Sequence, residues 1–173
     1  MIKKKIVIAT GGTGGHVFPA YSLANYLKNK NFSIKLTSDK RGSFYLKDLN
    51  NFNLVKISSS PLIKKNIFKL FYSLIIISFS IIKSLLILIL DRPSLILVMG
   101  GYSSFPICFA AFILRIKFII YENNLIIGKA NKYLLPFAKK IFVSYNELEG
   151  ISEKYKDKVV EVGNIVREEI INA

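Results

Sequence analysis

The strongest constraint on the fold is a short apolar run that ends in a glycine turn. Residues 5–10 read KIVIAT, and residues 11–16 follow as GGTGGH. Isoleucine and valine favour a strand buried on both faces, while glycine allows backbone conformations and close approaches that side chains prevent. Apolar residues then recur at helical spacing between 20 and 27, with Pro19 suited to a first helical turn. The pattern predicts a strand, a tight turn and a helix.

The same alternation continues along the chain, which has 173 residues and 51% apolar content, enough for one domain with a real core. We predict further strands at 33–38, 53–57, 94–100, 117–122, 140–145 and 158–164. We predict helices at 21–30, within 66–90, at 106–115, at 128–138 and a short one near 146–155. Buried strands that alternate with helices indicate an α/β fold with a doubly wound, Rossmann-like parallel sheet. We expect this domain to span 1–165, with 166–173 beginning a linker.

The chain is strongly basic, with 25 Lys and Arg against 11 Asp and Glu and a net charge of +14. Lysine supplies most of the excess, as a lysine-rich composition would, and solvated lysine faces are ordinary. We expect an anionic membrane surface and a phosphorylated ligand as partners, and no nucleic acid. The single cysteine, Cys108, lies in an apolar run, which predicts a core residue and no disulfide. We expect no metal and no cofactor.

Residues 70–90 are apolar over a length that meets the usual criterion for a membrane span. A span here would place the turns at 11–15 and 100–104 on opposite sides of the bilayer and split the predicted sheet. A narrow polar stripe also follows one helical face, formed by Lys69, Ser73, Ser80, Lys83 and Ser84. We therefore favour a buried or interfacial helix over a membrane span.

The segment at the start of this helix mixes apolar and basic residues. Ile63, Ile67, Phe68 and Phe71 alternate with Lys64, Lys65 and Lys69. Such a mixture suits the boundary of an anionic bilayer. An ordinary core helix with a solvated basic rim explains the pattern equally well, and both hypotheses stay open.

Ligands of doubly wound sheets bind beyond the carboxyl ends of the strands, and three polar turns follow predicted strands there. They contain Gly11 to His16, Gly100 to Ser104, and Glu122 to Asn124. The first two are glycine turns that lead into helices, where free N–H groups and the helix dipole attract phosphate. Two such turns on neighbouring strands suit a diphosphate.

His16 is the only histidine and stands behind the first glycine turn. It either braces the turn or acts as a general base on a sugar hydroxyl, oriented by Glu122. Glu122 and Asn124 could instead cap the next turn. A dinucleotide site is a rival interpretation because Asp39 could hold a ribose, but Val17 stands where that motif requires glycine.

Four stretches together resemble, in order and spacing, the amino-terminal domain of the MurG family of N-acetylglucosaminyltransferases. They read GGTGGHVFPAYSLA, VMGGYSSFP, YENNLIIGKANKYL and VGNIVREEI. The resemblance implies the amino-terminal half of a GT-B fold, which binds the lipid-linked acceptor, lipid I, at the cytoplasmic face of the inner membrane. The second half of such an enzyme binds UDP-N-acetylglucosamine, and lipid II is the product.

The resemblance also implies roles for individual residues. It places the acceptor diphosphate against the loops at Gly11, Gly12, Thr13, Gly14, Gly15, Gly100, Gly101 and Tyr102, with Asn124 also in the cleft. His16 becomes the base, with Glu122 beside it. Asn164 and Arg167 become donor-proximal residues.

The chain departs from the family pattern at three places. Tyr121, Glu122, Asn123 and Asn124 stand where the family has H-E-Q-N, and Ile165 replaces the proline of G-N-P-V-R. Because proline stiffens a chain, we expect Ile165 to loosen the domain junction. The chain also stops at Ala173, so we expect no donor domain and no turnover by this chain alone. A membrane-anchoring subunit of a two-chain transferase is an alternative, and a nucleotide-binding oxidoreductase is a further one.

Overall fold

The structure is a computed structural model that describes residues 3–46, 52–60, 67–145 and 147–166. Its seven strands form one parallel sheet in the order β3-β2-β1-β4-β5-β6-β7. They are β1 (Lys5–Ala9), β2 (Ser33–Ser38), β3 (Asn53–Lys56), β4 (Leu95–Val98), β5 (Phe118–Glu122), β6 (Lys140–Val143) and β7 (Val159–Glu161). All seven predicted strands are therefore confirmed, as is the doubly wound α/β class.

Helices cover both faces of this sheet. They are α1 (Gly14–Asn29), α2 (Lys40–Tyr45), α3 (Ile67–Asp91), α4 (Ser104–Ile113) and α5 (Lys129–Leu134), followed by a 3-10 helix (Glu153–Lys158). One core cluster joins the sheet to α1, and the other joins it to α3, α4 and α5. The sequence pattern did not predict α2, which is only six residues long.

The sheet places the turns after β1 and β4 side by side. β1 pairs with β2 on one side and with β4 on the other, so the chain changes direction across the sheet at this point. The pairing continues beyond the strands, because the Met99 N–H donates to the Ala9 carbonyl over 2.8 Å. A crevice between such neighbouring turns is the usual ligand site of a doubly wound fold.

Helix α3 packs against α4 through a narrow seam rich in serine. Its buried positions are Ser73, Ile77, Ser80, Ser84 and Leu88. The hydroxyls have acceptors: Ser84 donates to the Ser80 carbonyl of its own helix over 2.7 Å, and Ser80 donates to the Ser58 carbonyl over 2.8 Å. Small side chains let the two helices approach closely, so the three serines of the polar stripe face inward, whereas Lys69 and Lys83 are exposed at its margin.

The outer face of α3 is apolar and exposed, which disagrees with the alternative of an ordinary core helix. The exposed fraction is 81% for Phe68, 69% for Phe79 and 80% for Leu90. The helix is long and apolar enough to cross a membrane, and 28% of its most apolar stretch is buried. However, α3 connects β3 to β4 of the same sheet and packs on α4.

Several predicted residues can be placed on this helix and in the core. Ile67, Phe68, Lys69 and Phe71 are all exposed in the first turns of α3, whereas Ile63, Lys64 and Lys65 lie outside the described residues. Cys108 is fully buried in α4, as predicted, and burial raises the pKa of its thiol well above the ordinary range. This cysteine is a packing residue.

Candidate functional site

Backbone contacts between glycines join three turns at the carboxyl edge of the sheet. A Cβ on Gly101 would lie 2.7 Å from the Gly11 carbonyl oxygen, and one on Gly42 would lie 2.9 Å from the Gly11 Cα. Gly101 also has a φ of +88°, which L side chains rarely adopt. Ser103 completes the junction by donating its hydroxyl to the Thr10 carbonyl over 2.8 Å. The turns after β1, β2 and β4 therefore form one unit.

The first glycine turn presents the amino end of α1 to solvent. Thr13 has extended backbone geometry before the helix, and its carbonyl accepts from the N–H groups of His16 and Val17. The N–H groups of Gly14 and Gly15 belong to the first turn, which has no intrahelical acceptors for them. Together with the helix dipole, they can bind an anion, as the sequence predicts.

His16 lies against the second glycine turn. A Cβ on Gly100, whose φ is +103°, would approach the His16 Nδ1 to 2.7 Å, so the imidazole occupies space that only glycine leaves free. Nδ1 is buried and has no hydrogen-bond partner among the described residues. The structure thus brings the imidazole and both glycine turns together at one place.

Glu122 does not orient His16, and that part of the prediction is wrong. Its side chain is fully buried, and four N–H groups donate to its two carboxylate oxygens. Oε1 accepts from the backbone and side chain of Asn124 over 3.2 and 2.7 Å. Oε2 accepts from the Gly128 backbone over 2.8 Å and from the Asn131 side chain over 2.9 Å. Glu122 organises the turn into α5, which is the capping role left open above.

Of the two asparagines after Glu122, Asn123 lies at the cleft, whereas Asn124 was expected there. Asn124 is exposed and its amide donates to Glu122, whereas Asn123 lines a cleft with Gly14 and Gly15. The Asn123 side chain donates to the Gly15 carbonyl over 3.1 Å, and its buried Oδ1 has no partner in the described chain. Asn123 is a site residue that the sequence pattern did not single out.

Asp39, which the rival dinucleotide interpretation would place on a ribose, here caps α2 and holds the first glycine turn. Its Oδ1 accepts from the Gly42 N–H over 2.7 Å and from the Gly12 N–H over 3.1 Å. The same turn brings Arg41 beside the site, because its Nη2 lies 3.3 Å from the position of a Cβ on Gly12. Neither Gly42 nor Arg41 was predicted as a site residue, since both belong to the unpredicted α2.

Tyr121 fastens the segment after β7, contrary to the loosening expected from Ile165. The Ile165 N–H donates to the Tyr121 hydroxyl over 3.0 Å, and that hydroxyl donates to the Gly163 carbonyl over 3.2 Å. Proline could not make the first bond because it has no N–H. Asn164 lines the same cleft as Asn123 and donates to the Tyr145 hydroxyl, while Arg167 lies outside the described residues.

Comparisons with known proteins agree with this fold, which is that of the amino-terminal half of a glycosyltransferase. The model of the glycosyltransferase family 28 N-terminal domain matches residues 6–143, and the chain belongs to this family. As predicted, its sheet is the amino-terminal half of a GT-B fold.

Two similar proteins carry the same name, UDP-N-acetylglucosamine--N-acetylmuramyl-(pentapeptide) pyrophosphoryl-undecaprenol N-acetylglucosamine transferase. The Rickettsia felis protein is 38% identical over 98% of this chain and 46% of its own length. The Pelagibacter ubique protein is 35% identical over 99% of this chain and 47% of its own. The crystal structure of Acinetobacter baumannii MurG superposes with a TM-score of 0.74 at 23% identity, over 92% of this chain and 45% of that one. The chain thus spans about half the length of the relatives it matches.

Replacing Glu122 with glutamine tests its structural role. An amide offers one acceptor oxygen where the carboxylate offers two, so N–H donors around the buried side chain lose their acceptor. We expect the free energy of unfolding, measured by urea denaturation, to fall by about 2 to 3 kcal/mol.

Glu149→Gln is the matched control, since Glu149 is exposed. We expect it to change the free energy of unfolding by less than about 0.5 kcal/mol. Equal effects of the two substitutions would show that the carboxylate of Glu122 does not hold this turn.

Proposed function

We propose that this chain is the acceptor-binding half of an inverting, metal-independent glycosyltransferase. The reaction transfers N-acetylglucosamine from UDP-N-acetylglucosamine to a lipid-linked N-acetylmuramyl-(pentapeptide) diphosphate, converting lipid I to lipid II in peptidoglycan synthesis. The names of the similar proteins support these substrates. The observation that carries the proposal is that His16 lies beside two glycine turns, where β1 and β4 end next to each other in the sheet.

The glycine turns are the proposed site of the acceptor diphosphate. The first-turn N–H groups at Gly14 and Gly15 and the dipole of a 16-residue helix favour a negative charge there. The second turn contributes Gly100, Gly101 and Tyr102 from the neighbouring strand. Because glycine has no side chain, a ligand can approach the backbone N–H groups of these turns to within hydrogen-bond distance.

His16 is the proposed general base. Because Nδ1 is buried against Gly100, Nε2 is the nitrogen assigned to the reaction. Nε2 takes the proton of the muramyl 4-hydroxyl as its oxygen forms a bond to the anomeric carbon of the donor sugar. The bond from that carbon to the diphosphate breaks, and UDP leaves with the electron pair. No carboxylate hydrogen-bonds to His16 in the described part of the chain, so His16 acts without Glu122.

The donor is assigned to a second domain that faces Asn164. The cleft that Asn164 shares with Gly15 and Asn123 measures about 520 Å³ and opens beside the end of the described chain. We propose that residues 1–165 form the acceptor domain, that 166–173 begin the linker, and that Arg167 lies near the donor. Tyr121 holds the start of this junction in place through Ile165.

His16→Ala tests the proposed base. The assay joins this chain to the carboxyl-terminal half of the Rickettsia felis relative and measures transfer onto a short-chain lipid I analogue. We expect kcat to fall about 10²-fold or more, because a positioned base contributes that much, while the Kd of the analogue for the 173-residue chain changes little.

The binding measurement on the chain alone is the control for the fusion. The wild-type chain should bind the lipid I analogue more tightly than it binds UDP-N-acetylglucosamine. Absence of acceptor binding would overturn the proposed function. An unchanged kcat in the His16→Ala fusion would show that His16 is not the base and only supports the glycine turn.

We also propose that α3 holds the domain at the cytoplasmic face of the inner membrane as a peripheral protein. Its exposed apolar face lies beside basic residues, including Lys69 and Lys83. Each apolar side chain that enters the bilayer boundary contributes about 1.5 to 3 kcal/mol, and each lysine about 1 kcal/mol near anionic headgroups. Ile63, Lys64 and Lys65 are proposed to extend this surface.

Phe79→Asp tests this surface, with Phe44→Asp on α2 as the matched control. The two side chains are 69% and 73% exposed, but they lie on different helices. We expect Phe79→Asp to lower retention on anionic vesicles about tenfold and Phe44→Asp to leave it unchanged. High salt should release part of the wild type, because only the charge attraction is screened.

Equal retention of both variants would contradict a role for α3. Retention of the wild type through alkaline carbonate extraction would show that α3 spans the bilayer instead of lying in its surface.

A further inference from the structure

A second cleft adjoins the glycine turns on the side of β2 and β3. It measures about 620 Å³ and lies beyond the carboxyl ends of β2, β3 and β4. Its lining consists of Asp39, Lys40, Arg41, Lys56, Ile57, Ser58, Ser59 and Tyr102. None of these side chains except Tyr102 was predicted to bind the acceptor.

The lining is cationic. Lys40, Arg41 and Lys56 are exposed, and none of them forms an ion pair within the described residues. Asp39 is the one acidic residue of this lining, and its Oδ1 already accepts two backbone N–H groups. A fourth cation stands at the edge of the cleft, because the Lys83 ammonium donates to the Lys56 carbonyl over 2.8 Å. Three free cations and two serine hydroxyls suit a phosphorylated ligand.

The position of Arg41 connects this cleft to the glycine turns. Its Nη2 lies 3.3 Å from the place of a Cβ on Gly12, and Tyr102 follows directly after Gly101. A ligand at the amino end of α1 therefore lies within reach of a guanidinium, whose paired N–H groups match the geometry of phosphate oxygens. The glycine turns supply backbone donors, and the cleft supplies the positive charge.

We propose that Arg41, assisted by Lys40 and Lys56, forms a second phosphate-binding wall for a ligand that carries a diphosphate. The identity of that ligand as the lipid-linked acceptor rests on the proposed function, but the binding of diphosphate by this wall does not. Arg41, Lys40 and Lys56 together balance the negative charges of the two phosphates, while the amides of the glycine turn fix their position.

The test is an isothermal titration calorimetry experiment in which the 173-residue chain is titrated with inorganic pyrophosphate and the Kd is measured. Arg41→Gln should weaken binding about tenfold or more, and Lys40→Gln combined with Lys56→Gln should weaken it further. Arg115→Gln is the matched control because it removes the same charge at an exposed position before β5, at the opposite edge of the sheet. We expect the control to change the Kd less than twofold.

Equal weakening by Arg41→Gln and Arg115→Gln would overturn the proposal, and so would the absence of pyrophosphate binding by the wild type at millimolar concentration. Anionic vesicles provide a separate arm. A loss of vesicle retention in Arg41→Gln with unchanged pyrophosphate affinity would assign Arg41 to lipid headgroups and also overturn the proposal. If pyrophosphate binding depends on Arg41 but the lipid I analogue does not bind, the proposed function fails and this site remains.

Discussion

The site depends on a backbone contact at Gly11. A Cβ on this residue would lie 2.0 Å from the Ser103 hydroxyl, while Gly42 and Gly101 approach it from the two neighbouring turns. Three consecutive strands of the sheet, β2, β1 and β4, thus end in turns that touch without intervening side chains. This contact places His16, Arg41 and the amino end of α1 around one opening.

The second organising feature is the orientation of α3. Serine hydroxyls line its buried seam because they can bond to carbonyls of their own helix or of the 57–60 segment. Close packing on α4 leaves the large apolar side chains outside. The same domain therefore has an edge of glycine turns, where we propose that an anion binds, and an exposed apolar surface, and an amphiphilic, lipid-linked diphosphate would need both.

Most of the architecture could be predicted from the sequence because its signals are local. Buried strands appear as runs of isoleucine and valine, and the glycine turns directly follow two of them. Helix α2 escaped prediction because it has six residues, with Gly42 in its interior and no apolar period. Arg41 was missed with it.

The errors about side chains share a physical cause, which is that their partners are distant in sequence or lie in the backbone. The carboxylate of Glu122 is satisfied by Gly128 and Asn131, and that of Asp39 by glycine N–H groups. The Ile165 N–H, which a proline would lack, donates to the hydroxyl of Tyr121, a residue 44 positions earlier in the sequence. In α3, the pattern identified the polar stripe but could not show that its serines face inward while its two lysines stay exposed.

The most direct test of the account is to map the acceptor by amide NMR on the isotope-labelled chain. During titration with a soluble muramyl diphosphate analogue, the largest shift changes should occur at Gly14, Gly15 and Tyr102, around the contact at Gly11. Saturable changes concentrated at β7 or the 3-10 helix, with the glycine turns unaffected, would contradict the claim that these turns bind the diphosphate.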